Sequence, residues 1–356
     1  MTDVIQPGTH AGAHADIHPD IHADLDLGGR PGLRSGGHPG FHTGPAPVRE
    51  AAGVFSLGAL DRDVVHGLVE RSCELYADPT AHRRPLAGKV VGVLFAKTST
   101  RTRTAFTSGV VRLGGTPIAY GPNDLQTNTG ETLLDTGRIL GSMLDLLVAR
   151  TAGPLDDLYT ISRAGGIPVV NAMAAEEHPT QGICDLASIR MMRGSVDGAR
   201  VLYLGEGNNT ATALAEGLAH HTGCTAVFAT PPGYGVPAGV LAAAAERGRA
   251  LGTEITEVQD VAELPAETDF VYTTRWQTTG TVKNDDLWRE TFRPFYVDDA
   301  LMSRWPAAWF MHDLPANRGE EVSARTLDGP RSIAWSQARM KLASAMAVLE
   351  WVAGQR

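Results

Sequence analysis

The sequence predicts an α/β protein: two doubly wound parallel-sheet domains joined by helices, with a ligand site in the cleft between them. Two observations carry this. Short apolar runs alternate with segments of helical periodicity, and the alternation occurs twice in 356 residues, enough for two sizeable cores. Polar and charged residues also cluster where the apolar runs end, the edge that faces a ligand crevice in a parallel sheet.

In chain order, residues 1–46 form a His/Gly/Pro-rich tail too poor in apolar residues to make a core. Six of the twelve histidines lie there (His10, His14, His18, His22, His38 and His42), but no spacing fixes a metal geometry, so a disordered extension is expected. Residues 47–177 are the expected first domain. Val64, Leu68 and Leu75 mark a helix, and 88–95 a buried strand. Phe106, Val110 and Leu113 mark a second helix, closed by Gly114-Gly115. A strand at 116–120, a polar loop at 121–129 and an amphipathic helix through Leu133, Gly137, Leu140 and Leu144 follow. The strand at 146–149 runs into Arg150, a helix passes through Leu155, Leu158 and Ile161, and the strand at 167–171 ends on Asn171.

Residues 178–331 are the expected second domain. A helix over 178–193 links the halves, and 200–204 is a strand leading to Gly205-Glu206-Gly207-Asn208-Asn209 and a helix through Leu214 and Leu218. Strands are expected at 226–229, 254–258, 270–273 and 309–312, with an alanine-rich helix over 237–249. Residues 332–356 form a long C-terminal helix expected to pack back on the first domain.

Composition excludes several classes. With 43% hydrophobic and 20% charged residues and a formal net charge of −9, the chain is not a general nucleic-acid or anionic-membrane binder. No apolar run is long enough to span a membrane, and the N-terminus lacks a signal-peptide pattern. Cys73, Cys184 and Cys224 form neither a metal motif nor a disulfide framework, so a reducing cytoplasm is the expected setting.

The chemistry concentrates in two stretches. Lys97-Thr98-Ser99-Thr100-Arg101-Thr102-Arg103-Thr104 places hydroxyls and arginines where a strand meets a helix N-terminus. Free N–H groups, the helix dipole and guanidinium forks there favour a phosphate-like dianion. His178-Pro179-Thr180-Gln181 puts an imidazole and an amide on one face of a first helical turn, where they could polarise a carbonyl. Taken alone, such a histidine is more often structural. Gly205-x-Gly207 lacks the third glycine of a dinucleotide site, since position 210 is Thr, and there is no Walker-type lysine loop.

These segments together resemble the aspartate/ornithine transcarbamoylase family, more closely its ornithine branch, over about 50–356. The resemblance is carried by Ser99–Arg103, Gly130-Glu131-Thr132-Leu133 with Asp135-Thr136, His178–Gln181, Gly205–Asn209 and Leu314-Pro315-Ala316-Asn317-Arg318-Gly319-Glu320-Glu321-Val322. It implies a carbamoyl phosphate site. Ser99, Thr100, Arg101 and Thr102 would hold phosphate, and Arg150 would bridge phosphate and carbonyl. His178 would polarise the carbonyl oxygen, Gln181 would bind the carbamoyl amino group, and Arg339 would be a further contact. Gln126 matches a residue that family members lend to a neighbouring subunit, and family members are trimers or assemblies of trimers. No metal or organic cofactor is implied. The chemistry agrees: an uncharged amine attacks, an oxyanion forms and phosphate leaves, so donors aimed at the oxygen and the leaving group are the required parts.

The second-substrate side departs from the ornithine branch. Thr274 stands where that branch has the Asp that holds the substrate ammonium, and Asp313 where it has Cys, before Leu314. Asn209 remains at the position that would meet a substrate carboxylate. Thr274-Arg275-x-Gln277 resembles the aspartate branch, whose Arg-x-Gln contacts the amino acid, yet that branch has Pro where Asp313 stands. The expectation is a carbamoyltransferase acting on an amine other than ornithine, with Arg275 on a substrate carboxylate and Asp313 near the amine as catalytic counter-ion or proton acceptor. The opposite reading, Arg275 in solvent and Asp313 capping a turn, stays open because loop side-chain direction is not legible in sequence. An ornithine enzyme with a divergent pocket and a non-catalytic carbamoyl phosphate binder are the alternatives.

Overall fold

The computed structural model describes residues 49–278 and 280–354. The His-rich tail, and the expectation attached to it, lies outside the described residues. The chain begins with β1 (Gly53–Val54), α1 (Arg62–Ala77), β2 (Val90–Phe95), α2 (Arg101–Arg112) and β3 (Thr116–Tyr120). Then come α3 (Leu133–Met143), β4 (Leu146–Arg150), α4 (Leu155–Gly165) and β5 (Val169–Asn171). These five strands form one all-parallel sheet in the order β1-β5-β4-β2-β3.

After α5 (Pro179–Arg193) the pattern repeats with β6 (Arg200–Leu204), α6 (Asn209–Leu218), β7 (Thr225–Ala229), α7 (Ala238–Arg249), β8 (Glu254–Val258) and β9 (Phe270–Thr273). Short helices α8 (Trp288–Phe292) and α9 (Asp299–Met302) precede β10 (Trp309–His312), and α10 (Ala324–Leu327) precedes the last helix, α11 (Ala334–Ala353). The second sheet is also parallel, in the order β10-β9-β6-β7-β8.

Strands β2 and β4 read as unbroken apolar runs because helices cover both faces of the sheet. Helix α5 shows little amphipathicity for a related reason. Every residue from Pro179 to Ile189 is buried, polar Gln181, Asp185 and Ser188 included. Helix α11 packs against α1, α2 and α5, returning the C-terminus to the first sheet's helical layer.

Several elements went unread in the sequence. Strand β1 has only two residues, too few to alternate, and its identity comes from pairing with Val169 and Val170 of β5. Helices α8, α9 and α10 have five residues or fewer, shorter than a periodic signal needs. Gly207 is explained by packing. A Cβ there would lie 2.1 Å from the Val236 nitrogen, so the glycine admits a crossing backbone.

No described helix is long and apolar enough to cross a membrane.

Candidate active site

The C-terminal ends of the two sheets border one cavity of about 190 Å³. Thr98, Ser99, Thr100, Arg101, Thr102 and Arg150 line it from the first sheet's side. Asn208, Asn209, Thr210, Thr274, Arg275, Gln277, Thr278, Asp313 and Leu314 line it from the second, with His178 and Lys341 between.

On the first wall, β2 ends at Phe95 and α2 starts at Arg101, with Thr100 already in helical conformation and no side chain capping the helix. The first-turn N–H groups are therefore left for a ligand, and the dipole favours an anion there. Arg150 closes β4 in register with Phe95, is 8% exposed and leaves its Nε without a partner. Burial, and secondarily Arg101, pulls its pKa down to about 10 against the pull of Asp313, so it stays cationic at neutral pH. Burial also lowers Arg101, again opposed by Asp313.

His178 is placed by the turn before α5. Asn171 at the end of β5 donates from Nδ2 to the Phe55 and Glu177 carbonyls at 2.8 and 3.1 Å, and its Oδ1 accepts from Met173 N–H at 3.0 Å. Asn171 thus braces the turn and does not line the cavity. The imidazole is 4% exposed, with Nδ1 3.3 Å from Thr180 Oγ1 and Nε2 unpartnered. Burial first, then Arg150 and Lys341, holds its pKa well below the ordinary imidazole value, so it is neutral.

Arg339, expected from the sequence to contact the donor, does not line this cavity. Its guanidinium lies 4.5 Å over the Tyr76 ring and borders a separate groove between α2 and α11. Lys341, two residues on, faces the opposite side of the helix and reaches the cavity. Its Nζ donates to Gln181 Oε1. Gln181 is buried one layer behind, in a small cleft shared with Thr102, His178 and Lys341. No sequence signal singles out Lys341, because which side of α11 faces the cavity is set by how that helix packs against α5. Gln126 is exposed in a short turn (Gln126–Thr129), outside the cavity, accepting from Thr129 Oγ1 at 2.9 Å.

On the second wall the Thr274 hydroxyl is engaged, 3.0 Å from the Tyr203 hydroxyl and accepting from Asn208 Nδ2 at 3.2 Å. Asn208, given no role of its own in the sequence reading, also bonds Thr278 and caps α6 through Oδ1. Asn209 Nδ2 donates to the Ala174 carbonyl at 2.9 Å. Arg275 lines the cavity with a buried, unpartnered Nε, and Gln277 Nε2 donates to the Thr281 carbonyl at 2.9 Å. Asp313 is the one carboxylate lining the cavity among the described residues, and its Oδ2 accepts from Thr210 Oγ1 at 3.3 Å. The 3.6 Å approach of His312 Nδ1 to Asp313 is not an ion pair, since that nitrogen accepts the Leu314 N–H at 2.8 Å.

Among the described residues, four cations (Arg101, Arg150, Arg275 and Lys341) thus surround the space with a single carboxylate opposite. That excess suits a dianion, and a neutral imidazole beside it can donate a hydrogen bond to a developing oxyanion.

Known proteins match this chain in both of its halves. Residues 53–191 match the family described as aspartate/ornithine carbamoyltransferase, carbamoyl-P binding domain, and residues 197–352 match its Asp/Orn binding domain. The ornithine carbamoyltransferase of Acidothermus cellulolyticus is 38% identical over 271 residues, 76% of this chain and 86% of that protein. That of Rhodococcus opacus is 38% identical over 293 residues, 81% of this chain and 92% of that protein. The solved ornithine carbamoyltransferase of Pyrococcus furiosus superposes with a TM-score of 0.80 at 30% identity, over 86% of this chain and 98% of that one.

Proposed function

The chain belongs to the aspartate/ornithine carbamoyltransferase family, and on that premise we propose that it moves the carbamoyl group of carbamoyl phosphate to the amine of an amino acid, giving a ureido product and phosphate. The observation that carries this reading is the uncapped start of α2 in a cavity lined by four cations, with a buried neutral imidazole beside it. Ser99, Thr100, Arg101 and Thr102 hold the phosphate. Arg150 spans phosphate and carbonyl oxygen, and Lys341 takes the place assigned from sequence to Arg339. The amine nitrogen bonds to the carbonyl carbon, His178 and Arg150 stabilise the oxyanion, and the carbon–oxygen bond to phosphate breaks. The proton lost from nitrogen goes to Asp313 or to the departing phosphate.

The names of the relatives favour ornithine as the amine. One observation favours a second reading, an amine other than ornithine. Position 274 offers a hydroxyl already bonded to Tyr203 and Asn208 and no charge for an α-ammonium, while Arg275 and Asp313 bring a new cation and a new carboxylate to the cavity. A short diamino acid, a β-amino acid or a natural-product amine would suit that pair. Phosphate release from carbamoyl phosphate against a panel of amines separates the two. Robust turnover of ornithine removes the second reading. Turnover of a shorter diamino acid with none of ornithine removes the first. Tight carbamoyl phosphate binding with no acceptor turned over leaves only a non-catalytic binder.

A homotrimer is part of the same proposal. Leu134, Ile139 and Met143 on α3 are exposed, as are Val111 on α2 and Ile118 on the edge strand β3. Exposed apolar side chains of this kind support burial against another copy, and Gln126 is exposed in the turn just before α3. Light scattering on the purified protein gives the mass that decides this. The three cysteines are free thiols, which supports a reducing, cytoplasmic setting.

A further inference from the structure

Behind the cavity lies a carboxylate that does not line it. Asp185, one helical turn after Gln181 on α5, is fully buried. Its Oδ1 accepts from Gln181 Nε2 at 2.6 Å and from Gln337 Nε2 at 2.7 Å, and its Oδ2 accepts from the Tyr272 hydroxyl at 2.9 Å. Gln337 Oε1 in turn accepts the His312 backbone N–H at 2.9 Å. One buried group therefore joins α5, α11 and β9, with a further link to the end of β10.

An amide side chain has nearly symmetric ends, and its partners decide which end is oxygen. An ionised carboxylate only accepts and an ammonium only donates. Gln181 lies between one of each, with Nε2 on Asp185 and Oε1 on Lys341. Its orientation is specified from both ends. We propose that Asp185 is a positioning residue: by holding the Gln181 amide nitrogen, it presents Gln181 Oε1 as the acceptor that reads the amino group of the carbamoyl donor. This rests on the carbamoyl phosphate reading given above. A donor with a methyl group in place of that amino group offers Oε1 no second hydrogen bond beside the one from Lys341, and a hydrogen bond lost at a buried acceptor discriminates against that donor.

The cost of the arrangement supports a purpose beyond stability. Burying a carboxylate is unfavourable, and an apolar side chain of similar volume often serves stability as well or better. Burial pushes Asp185 up to about 7 despite its hydrogen bonds. Its negative charge in turn favours the buried Lys341 ammonium, which burial and Arg101 disfavour.

Calorimetry on the full chain tests this with three ligands: inorganic phosphate, phosphonoacetamide, and acetonylphosphonate, in which methyl replaces the amide nitrogen. Wild type is expected to prefer phosphonoacetamide over acetonylphosphonate on the order of tenfold. In Asp185→Leu that ratio should fall to within about twofold of unity while phosphate affinity stays within about twofold of wild type. Asp185→Asn keeps an oxygen for both glutamine amides and should keep the preference. If the leucine variant does not fold, Asp185→Ser, whose hydroxyl is too short to reach Gln181, is read in the same way. Retention of the full preference in Asp185→Leu or Asp185→Ser overturns the proposal, as does an equal loss for all three ligands. A wild type that transfers carbamoyl groups without preferring the amide also overturns it. A wild type that neither transfers carbamoyl groups nor binds the phosphonates overturns the reading beneath it instead.

Discussion

The His178 backbone N–H donates to the Asn209 carbonyl at 3.1 Å, so the residue that opens α5 and the residue that opens α6 are tied together between the two walls of the cavity. The Asn209 side chain adds a second tie to the Ala174 carbonyl at 2.9 Å. On the proposed reading, these ties set the spacing between the imidazole on the donor side and the amide on the acceptor side. In a site that must bring a nucleophile onto a carbonyl carbon, fixed spacing is itself catalytic.

The imidazole of His178 is held neutral by burial and by its cationic neighbours, so its protonated form belongs to a pH well below the ordinary imidazole range. The acid limb of kcat/KM should therefore not arise from His178 near pH 6.5. His178→Asn should lower kcat about 10²-fold, as expected when an oxyanion donor is lost, and leave the position of the acid limb unchanged. A limb near neutral pH that vanishes in this variant would contradict the assignment.

Lys341 lines the cavity and Arg339 does not, so on the proposed reading only the lysine contacts the carbamoyl donor. Lys341→Met should raise KM for carbamoyl phosphate about tenfold or more, because a charge-assisted contact is lost. Arg339→Met, which removes a cation stacked on Tyr76, should leave it within about twofold. The reverse order would restore the arginine as the donor contact.

This pair also shows what a sequence can and cannot disclose. The run from β2 into α2 was legible because a buried strand, a hydroxyl and arginine cluster and a helical period follow one another. The His178–Gln181 turn was legible because Pro179 fits only the start of a helix. Choosing Lys341 over Arg339 needs the rotation of α11 relative to α5, a tertiary quantity. Asp185 gave no signal, since a single acid in a buried helix looks like any polar residue until its three donors are seen. The direction of Arg275 was equally silent, because the loop after β9 has no period to orient it.

On the acceptor side, Asp313→Asn and Arg275→Ala should each raise KM for the amine about tenfold or more, with KM for carbamoyl phosphate changing less. Steady-state kinetics with the accepted amine checks this. Unchanged turnover of that amine in both variants would remove Arg275 and Asp313 from the acceptor site.

Glu177 gives a prediction on stability. It is 3% exposed, accepts the Leu57 N–H at 2.8 Å through Oε1, and burial pushes its pKa up to about 7. A carboxyl raised in the folded state binds its proton more tightly there than when unfolded. Its contribution is fully present below its ordinary value of 4.5 and is lost as pH rises through about 7. Glu177→Gln, neutral at every pH and still able to accept from Leu57, should therefore gain stability over wild type as pH rises across that window, by on the order of 1–3 kcal/mol. Denaturant melts of both proteins at pH 5 and pH 8 measure the difference, and equal differences at the two pH values would contradict the buried, protonated carboxyl.

The most direct measurement follows the carbamoyl carbon itself. With 13C-labelled carbamoyl phosphate and a panel of amines including ornithine, aspartate and 2,3-diaminopropionate, NMR should show a ureido carbon signal growing as the carbamoyl phosphate signal falls, with one phosphate released per ureido group. Both rates should drop together in Arg150→Ala and His178→Asn. Consumption of carbamoyl phosphate without a ureido signal from any amine, or transfer that persists at the wild-type rate in both variants, would contradict the assignment of carbamoyl transfer to this cavity.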